Sequence, residues 1–315
     1  MFFGKKKWDP QGKHCYVTGG STGLGLALSI LLATKGAHVT IVARTENKLQ
    51  AALKEIEAAR QYPEQQFRYH SFALDTADAS AQAIQAECDA NGGRAPDAFF
   101  LCAGSARPSF FIEETEATML NGMESAYWIQ AWSALAATKK LVQQKQKGNI
   151  VFVGSVVSFM SFIGYSSYSP GKHALKGLAE TLRSELLLYG IDVHIFFPPT
   201  MKTPGYEIEM QTKPAVQKKI EETDDGITPE QGAAAIIKGV EKGQHQIAAD
   251  LITNLFRSSS RGSAPMNHLF LDQIYDVITW IATPVWRRGV DKSILAHRRE
   301  HEEYLTKQGF FSKST

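Results

Sequence analysis

The sequence predicts an α/β fold, a parallel sheet with helices on both faces. Three observations carry that expectation. Short apolar runs alternate with helix-length segments through roughly the first 250 residues, the order of a βαβ chain. Runs such as Ala98-Phe-Phe-Leu-Cys102 are apolar throughout, as strands buried on both faces are. A glycine cluster joins the first run to the first helix.

The elements follow in order. His14 to Thr18 is a strand, followed by a glycine-rich turn and an apolar helix from Leu24 to Thr34 that Gly36 ends. His38-Val-Thr-Ile-Val-Ala43 is a second strand, then a helix runs from about Glu46 to Arg60, and a third strand lies near Phe67 to Ala73. A polar helix reaching about Asn91 leads to the strand Ala98 to Cys102. One long helix is expected over Thr115 to Gln146, then the buried strand Asn149 to Val153. A helix from about Ser166 to Tyr189 precedes the strand Asp192 to Phe197. Beyond Pro198 the periodicity fades into a long polar stretch, Thr200 to Thr223, before a helix near Pro229 to Lys242. A loop that long is usually a functional lid. The whole is a Rossmann-type, doubly wound parallel sheet, whose ligands bind at the carboxyl ends of the strands.

With 315 residues, one large domain with extensions is expected: a tail over 1–10, a cofactor-binding domain over 11–250 with a substrate loop at 199–226, and a C-terminal extension over 251–315. A hydrophobic content of 43% and a charged content of 21% suit a globular core. A net charge of +2 gives no support for nucleic-acid binding. Cys15, Cys88 and Cys102 have no paired spacing and read as small buried hydrophobes in a reducing compartment. The first eight residues carry aromatics and lysines but no apolar core of a signal peptide, and none is expected.

Thr18-Gly19-Gly20-Ser21-Thr22-Gly23-Leu24-Gly25 lies between strand and helix. Glycines there permit a tight turn and let backbone N–H groups and the helix N-terminus approach a pyrophosphate. At the end of the second strand, where an acidic side chain would hold ribose hydroxyls, stands Arg44, with Lys48 one turn further on. Two cations there favour a 2′-phosphate and hence NADPH; a solvated basic face is the alternative. Asp75 is a candidate for the adenine amino group, or for a helix N-cap.

Tyr168 and Lys172 lie four residues apart on one expected helix and share a face. An adjacent ammonium lowers a phenol's pKa, so Tyr168 is expected to exchange protons usefully. Ser155, at the carboxyl end of the preceding strand, can hold a carbonyl.

These residues together resemble the short-chain dehydrogenase/reductases over about residues 10 to 250, in the turn of Gly19, Gly23 and Gly25, Ala103-Gly104, Ser155, and Tyr168-Ser-Pro-Gly-Lys172. That resemblance implies that Asn121 is a fourth catalytic member supporting a water relay, although an ordinary helix residue reads the same way. It also implies that Pro198, the Met201 backbone and the Thr203 hydroxyl border the nicotinamide, with Ala103 and Gly104 against the cofactor. One departure stands out: Leu101-Cys102-Ala103-Gly104 replaces the family's Asn-Asn-Ala-Gly, removing asparagine support for that strand end. The run from Pro198 to Gly205, continuing to Lys213-Pro214, resembles the subgroup that reduces 3-ketodihydrosphingosine. The implied activity is NADPH-dependent reduction of that ketone in sphingolipid synthesis at the endoplasmic reticulum membrane, with the catalytic domain facing the cytosol. Alternatives are a microsomal reductase of a steroid, retinoid or 3-oxoacyl ketone, and a non-catalytic NADPH-binding scaffold, against which the intact Ser155, Tyr168 and Lys172 speak.

The segment from about 266 to 288 is apolar and aromatic and meets Arg287 and Arg288, while Asp272 and Asp276 interrupt it. Its uncharged stretch is shorter than the roughly 20 residues of a membrane span. An interfacial helix anchored by Trp280 and Trp286 is expected, inserted shallowly because of the aspartates. Packing in an oligomer interface or on the protein's own core remains open. Phe2, Phe3 and Trp8 beside Lys5, Lys6 and Lys7 suit the same surface. A homo-oligomer is expected as well, and no residue fixes the number of copies.

Overall fold

The computed structural model describes residues 8–222 and 224–309. Its centre is a seven-stranded parallel sheet in the order β3-β2-β1-β4-β5-β6-β7. The strands are β1 (His14–Thr18), β2 (His38–Ala43), β3 (Phe67–Ser71), β4 (Ala98–Leu101), β5 (Gly148–Val153), β6 (Ile191–Phe197) and β7 (Gln246–Ala248). Neighbours along β1 serve opposite sides: Cys15 and Val17 pack with one apolar cluster, and Tyr16 with the other. The first cluster is covered by α1 (Gly23–Thr34), α2 (Glu46–Ala58) and α9 (Pro229–Glu241). The second is covered by α3 (Ala77–Ala90), α5 (Ile129–Gln143) and α6 (Ser169–Glu185). Strand order reverses between β1 and β4, and a crevice opens there at the carboxyl ends of the strands.

The stretch from Thr115 to Gln146 is not one regular helix. α4 (Glu116–Met123) meets a π-helical turn over Glu124–Trp128 before α5 begins. Such turns interrupt helices most often at functional sites, and this one faces the crevice through Glu124 and Ser125.

The polar stretch after Thr200 is helical rather than a loop. α7 (Pro204–Thr212) starts with Thr203, whose hydroxyl accepts from the Tyr206 N–H at 3.1 Å, and with Pro204 at its first position. α8 (Ala215–Ile220) follows Pro214. A threonine cap before proline is a start signal that the stretch's polarity hides.

At the C-terminus come α10 (Leu251–Ser259), α11 (Leu269–Ala296) and α12 (Arg298–Lys307). Asp272 is buried and Asp276 half-buried, and both are bonded to groups of α10 and the turn after it. Asp272 forms a two-pronged pair with Arg257 of α10, at 2.6 and 3.2 Å, with both side chains 1% exposed. Asp276 takes the Ser258 hydroxyl at 2.6 Å and Arg261 at 2.8 Å. Burial alone would raise the Asp272 carboxyl, but Arg257 holds it below the ordinary carboxylate range. The aspartates therefore clamp α11 to α10. α12 folds back on the body, with His301 4.3 Å from Phe110 between ring centroids and the Tyr304 hydroxyl on Glu113.

Trp8 is half-buried and packs edge-on against Phe100 at 6.1 Å. Phe2, Phe3, Lys5, Lys6 and Lys7 lie outside the described residues. Cys15 and Cys88 are buried, and Cys102 is half-buried.

Candidate active site

A cavity of about 970 Å³ runs along the carboxyl ends of the strands. At one end lies the turn after β1, with Gly19, Ser21, Thr22, Gly23, Leu24 and Gly25 in its wall. Gly19 has φ +65, and a side chain on Gly25 would stand 2.3 Å from the Gly19 carbonyl oxygen, so the turn closes only without one. Thr22 caps α1 without a side-chain hydrogen bond, and no acidic residue sits in the first turn. The helix start thus presents free N–H groups to the cavity, as binding a diphosphate requires.

Arg44, Thr45 and Lys48 continue this wall past the end of β2. The Ser71 hydroxyl donates to the Arg44 carbonyl at 3.1 Å and fixes the backbone there. Arg44 and Lys48 are exposed and have no ion pair among the described residues. Glu46, the nearest carboxylate in sequence, accepts from Tyr69 at 3.2 Å and is not part of the wall. Asp75 is outside the cavity as well. It is exposed, Leu74 takes the wall position, and the α3 cap is the Thr76 hydroxyl, which accepts from the Ala79 N–H at 3.1 Å.

Ser155, Tyr168 and Lys172 all line the middle of the cavity. The Ser155 Oγ accepts from the Val157 N–H at 3.3 Å, which leaves its own proton to donate to a carbonyl. Lys172 is 2% exposed; its Nζ donates to the Val153 carbonyl at 2.8 Å and lies 5.5 Å from the centroid of the Tyr168 ring. Burial draws the Lys172 ammonium down to about 7. The expected lowering of Tyr168 is absent in the cofactor-free protein. Burial pushes its phenol above the ordinary value and the Glu209 carboxylate adds to this, while Lys172 turns toward Val153. A protonated phenol is the state that can give a proton to a ketone oxygen.

Asn121 lines the cavity but is exposed, and its side chain makes no hydrogen bond among the described residues. The side chain that reaches the partner of Lys172 is Gln130, which is 1% exposed. Its amide donates to the Val153 carbonyl at 2.9 Å and the Ala103 carbonyl at 3.3 Å, and accepts from the Val153 N–H at 3.0 Å. Gln130 and the Thr18 hydroxyl, which accepts from the Ala103 N–H at 3.1 Å, brace the end of β4 where the asparagines are missing. Nothing in the sequence singled out Gln130. Its one signal was a glutamine near the start of α5, among apolar residues and alanines.

Pro198, Met201 and Thr203 line the cavity opposite Ala103 and Gly104. The Thr203 methyl stands 3.2 Å from where a Gly23 side chain would begin, tying the lid to the glycine turn. Part of the wall at the other end is apolar. Met160, Phe162, Ile252, Phe256, Ala282 and Trp286 form it, so α10 and α11 are its roof. Trp286 packs against Phe256 at 6.0 Å and Phe162 at 6.2 Å at the cavity wall while remaining 37% exposed, and Trp280 is 80% exposed.

Lys172 gives the site a pH signature. From an ordinary 10.5 its pKa falls to about 7 in the fold, so between those values the unfolded chain holds more protons and stability rises with pH. The full cost of the buried charge is present below about pH 7 and is relieved toward 10.5. Denaturant unfolding of cofactor-free wild type and Lys172→Met should show the wild type gaining on the variant from about pH 7 to about pH 9.5. A difference that stays constant across that range would mean that Lys172 ionises alike in both states.

Comparison with known proteins agrees with this geometry. The family profile described as short chain dehydrogenase matches residues 13–213. The chain is 43% identical to the 3-ketodihydrosphingosine reductase TSC10 of Cryptococcus neoformans var. neoformans serotype D (strain B-3501A), over 98% of this chain and 92% of that one. It is 32% identical to the 3-ketodihydrosphingosine reductase ksrA of Aspergillus fumigatus, over 88% and 81%. Among solved structures, a short-chain type dehydrogenase/reductase from Mycobacterium ulcerans has a TM-score of 0.67 at 20% identity, over 76% of this chain and 89% of that one.

Proposed function

The chain belongs to the short-chain dehydrogenase family, and from that premise we propose that it reduces the ketone of 3-ketodihydrosphingosine to dihydrosphingosine with NADPH as hydride donor. The observation that carries this reading is the continuity of the cavity. One space joins Arg44 and Lys48, which have no ion pair among the described residues, the Ser155, Tyr168 and Lys172 group, and an apolar stretch able to take an alkyl chain.

The residues present fit the cofactor. The open start of α1 suits a diphosphate, Arg44 and Lys48 suit a 2′-phosphate, and Lys172 suits the nicotinamide ribose. When bound, NADPH supplies the hydride. Ser155 donates to the ketone oxygen and orients it, and Tyr168 gives that oxygen its proton. Lys172, fixed by the Val153 carbonyl that Gln130 also holds, then stabilises the phenolate left behind. Initial rates of NADPH oxidation with 3-ketodihydrosphingosine and with a steroid ketone test the substrate. The reading expects the sphingoid ketone to be preferred, and a preference for the steroid sinks it.

The same reading puts the protein on the cytosolic face of the endoplasmic reticulum membrane, where such an amphiphile resides. Its support is the outer face of α11, where Phe270, Ile274, Val277, Ile281 and Val285 recur every three or four residues, each at least half exposed. No helix of the described residues is long and apolar enough to cross a membrane. Deleting the whole segment is a poor test, since it would remove the roof of the cavity and strand Arg257 at about 3–5 kcal/mol. Replacing Phe270, Ile274 and Ile281 by serine leaves the clamp intact. Binding to anionic liposomes should fall at least about tenfold, with NADPH affinity and elution volume unchanged. A changed elution volume with unchanged liposome binding would assign the face to an oligomer contact instead.

A further inference from the structure

At the substrate end the cavity wall is charged as well as apolar. α7, α8 and the turn after them bring Glu209, Lys213 and Glu221 into it. The Lys213 side chain is 1% exposed, and its Nζ donates to Glu209 at 3.0 Å and Glu221 at 2.6 Å. Burial works against the Lys213 charge, but the two carboxylates outweigh it and hold the ammonium above its ordinary value. The Tyr165 hydroxyl also donates to Glu209, and its ring lies 6.3 Å from that of Tyr168 between centroids. Glu209 is thus one ring away from the proton donor.

Two carboxylates share a single buried cation, so this group keeps one negative charge in excess. Gln217, 0% exposed and outside the cavity wall, backs Glu221 by donating its amide N–H to it at 2.7 Å. A carboxylate charge in excess on the cavity wall, one ring away from the proton donor, calls for a cation that donates hydrogen bonds.

We propose that Glu209, held in place by Tyr165 and Lys213 with Glu221 and Gln217 behind it, recognises a protonated amine on the carbon next to the ketone and makes the protein select 2-amino ketones over plain ketones. This rests on the reading of the chain as the reductase of 3-ketodihydrosphingosine, which carries such an amine beside its ketone. It adds the residue that distinguishes that substrate from other long-chain ketones, which the apolar stretch alone does not. The amine's charge also offsets Glu209 next to Tyr168, easing formation of the phenolate when the proton leaves.

The test is a ratio. The kcat/KM for 3-ketodihydrosphingosine is divided by that for the same ketone lacking the amine, within one preparation, so any unfolded fraction cancels. The wild-type ratio should be about tenfold or more, the worth of a charge-assisted hydrogen bond. Glu209→Gln should bring it close to one, and Glu209→Asp, which keeps the charge, should preserve a clear preference. A wild type that reduces both ketones equally, or a Glu209→Gln that keeps the ratio, overturns the proposal and leaves the reductase reading standing. If Glu209→Gln reduces neither ketone, Glu209→Asp decides: loss of preference there overturns the proposal. A wild type that reduces neither ketone refutes the reductase reading, and this inference with it.

Discussion

Replacing Tyr168 with phenylalanine should lower kcat about a thousandfold, the typical worth of a positioned proton donor, while NADPH still binds. The ring sits at the start of α6 in the cavity wall, and phenylalanine fills the same space. Only the hydroxyl is lost. No neighbouring group stands ready to replace it. Tyr165 is the other phenol nearby, but its hydroxyl is committed to Glu209 and its pKa is driven up, first by burial and then by the Glu209 and Glu221 carboxylates. Ser155 is a far weaker acid. Single-turnover rates together with NADPH fluorescence titration separate the two effects. Near-normal turnover in Tyr168→Phe would remove Tyr168 from the chemistry, and a lost NADPH affinity would mean that the phenol binds rather than donates.

Arg44→Asp should raise the KM for NADPH about a hundredfold and leave NADH use equal or better. Arg44 follows the last residue of β2, its backbone is fixed by Ser71, and its guanidinium has no carboxylate partner among the described residues. A free planar cation at that place suits a phosphate; an aspartate suits the two ribose hydroxyls instead. The substitution breaks no ion pair seen in the fold, so its effect on stability should be small. Steady-state kinetics with both cofactors measure the ratio directly. An unchanged NADPH KM would take Arg44 out of the site and leave the basic pair as a solvated face.

Much of this was legible in the sequence because the signals are local. The glycine turn, the strand ends and the Tyr168–Lys172 spacing each need only a few adjacent residues, and the structure sets them along one cavity. What was hidden depends on distant partners. Asp272 and Asp276 read as interruptions of an apolar helix because their partners, Arg257 on α10 and Arg261 just after it, lie outside that helix. That Trp286 also lines the cavity was hidden because its partners, Phe162 and Phe256, lie elsewhere in the chain. β7 is three residues long and gives no periodicity to read. The α7 and α8 pair is polar because it buries charge rather than grease, and Glu209, Lys213 and Glu221 became meaningful only when the fold brought them to Tyr165. Gln130 was invisible for the same reason: its contacts are with Ala103 and Val153, on two different strand ends.

The most direct measurement of the central claim follows the hydride. Wild-type protein, NADPH carrying deuterium at both C4 positions of the nicotinamide and 3-ketodihydrosphingosine are incubated together, and the product is examined by mass spectrometry. The account predicts dihydrosphingosine carrying one deuterium at C3, formed by wild type and almost absent with Tyr168→Phe. Unlabelled product, or no product from wild-type protein that binds NADPH, would contradict it.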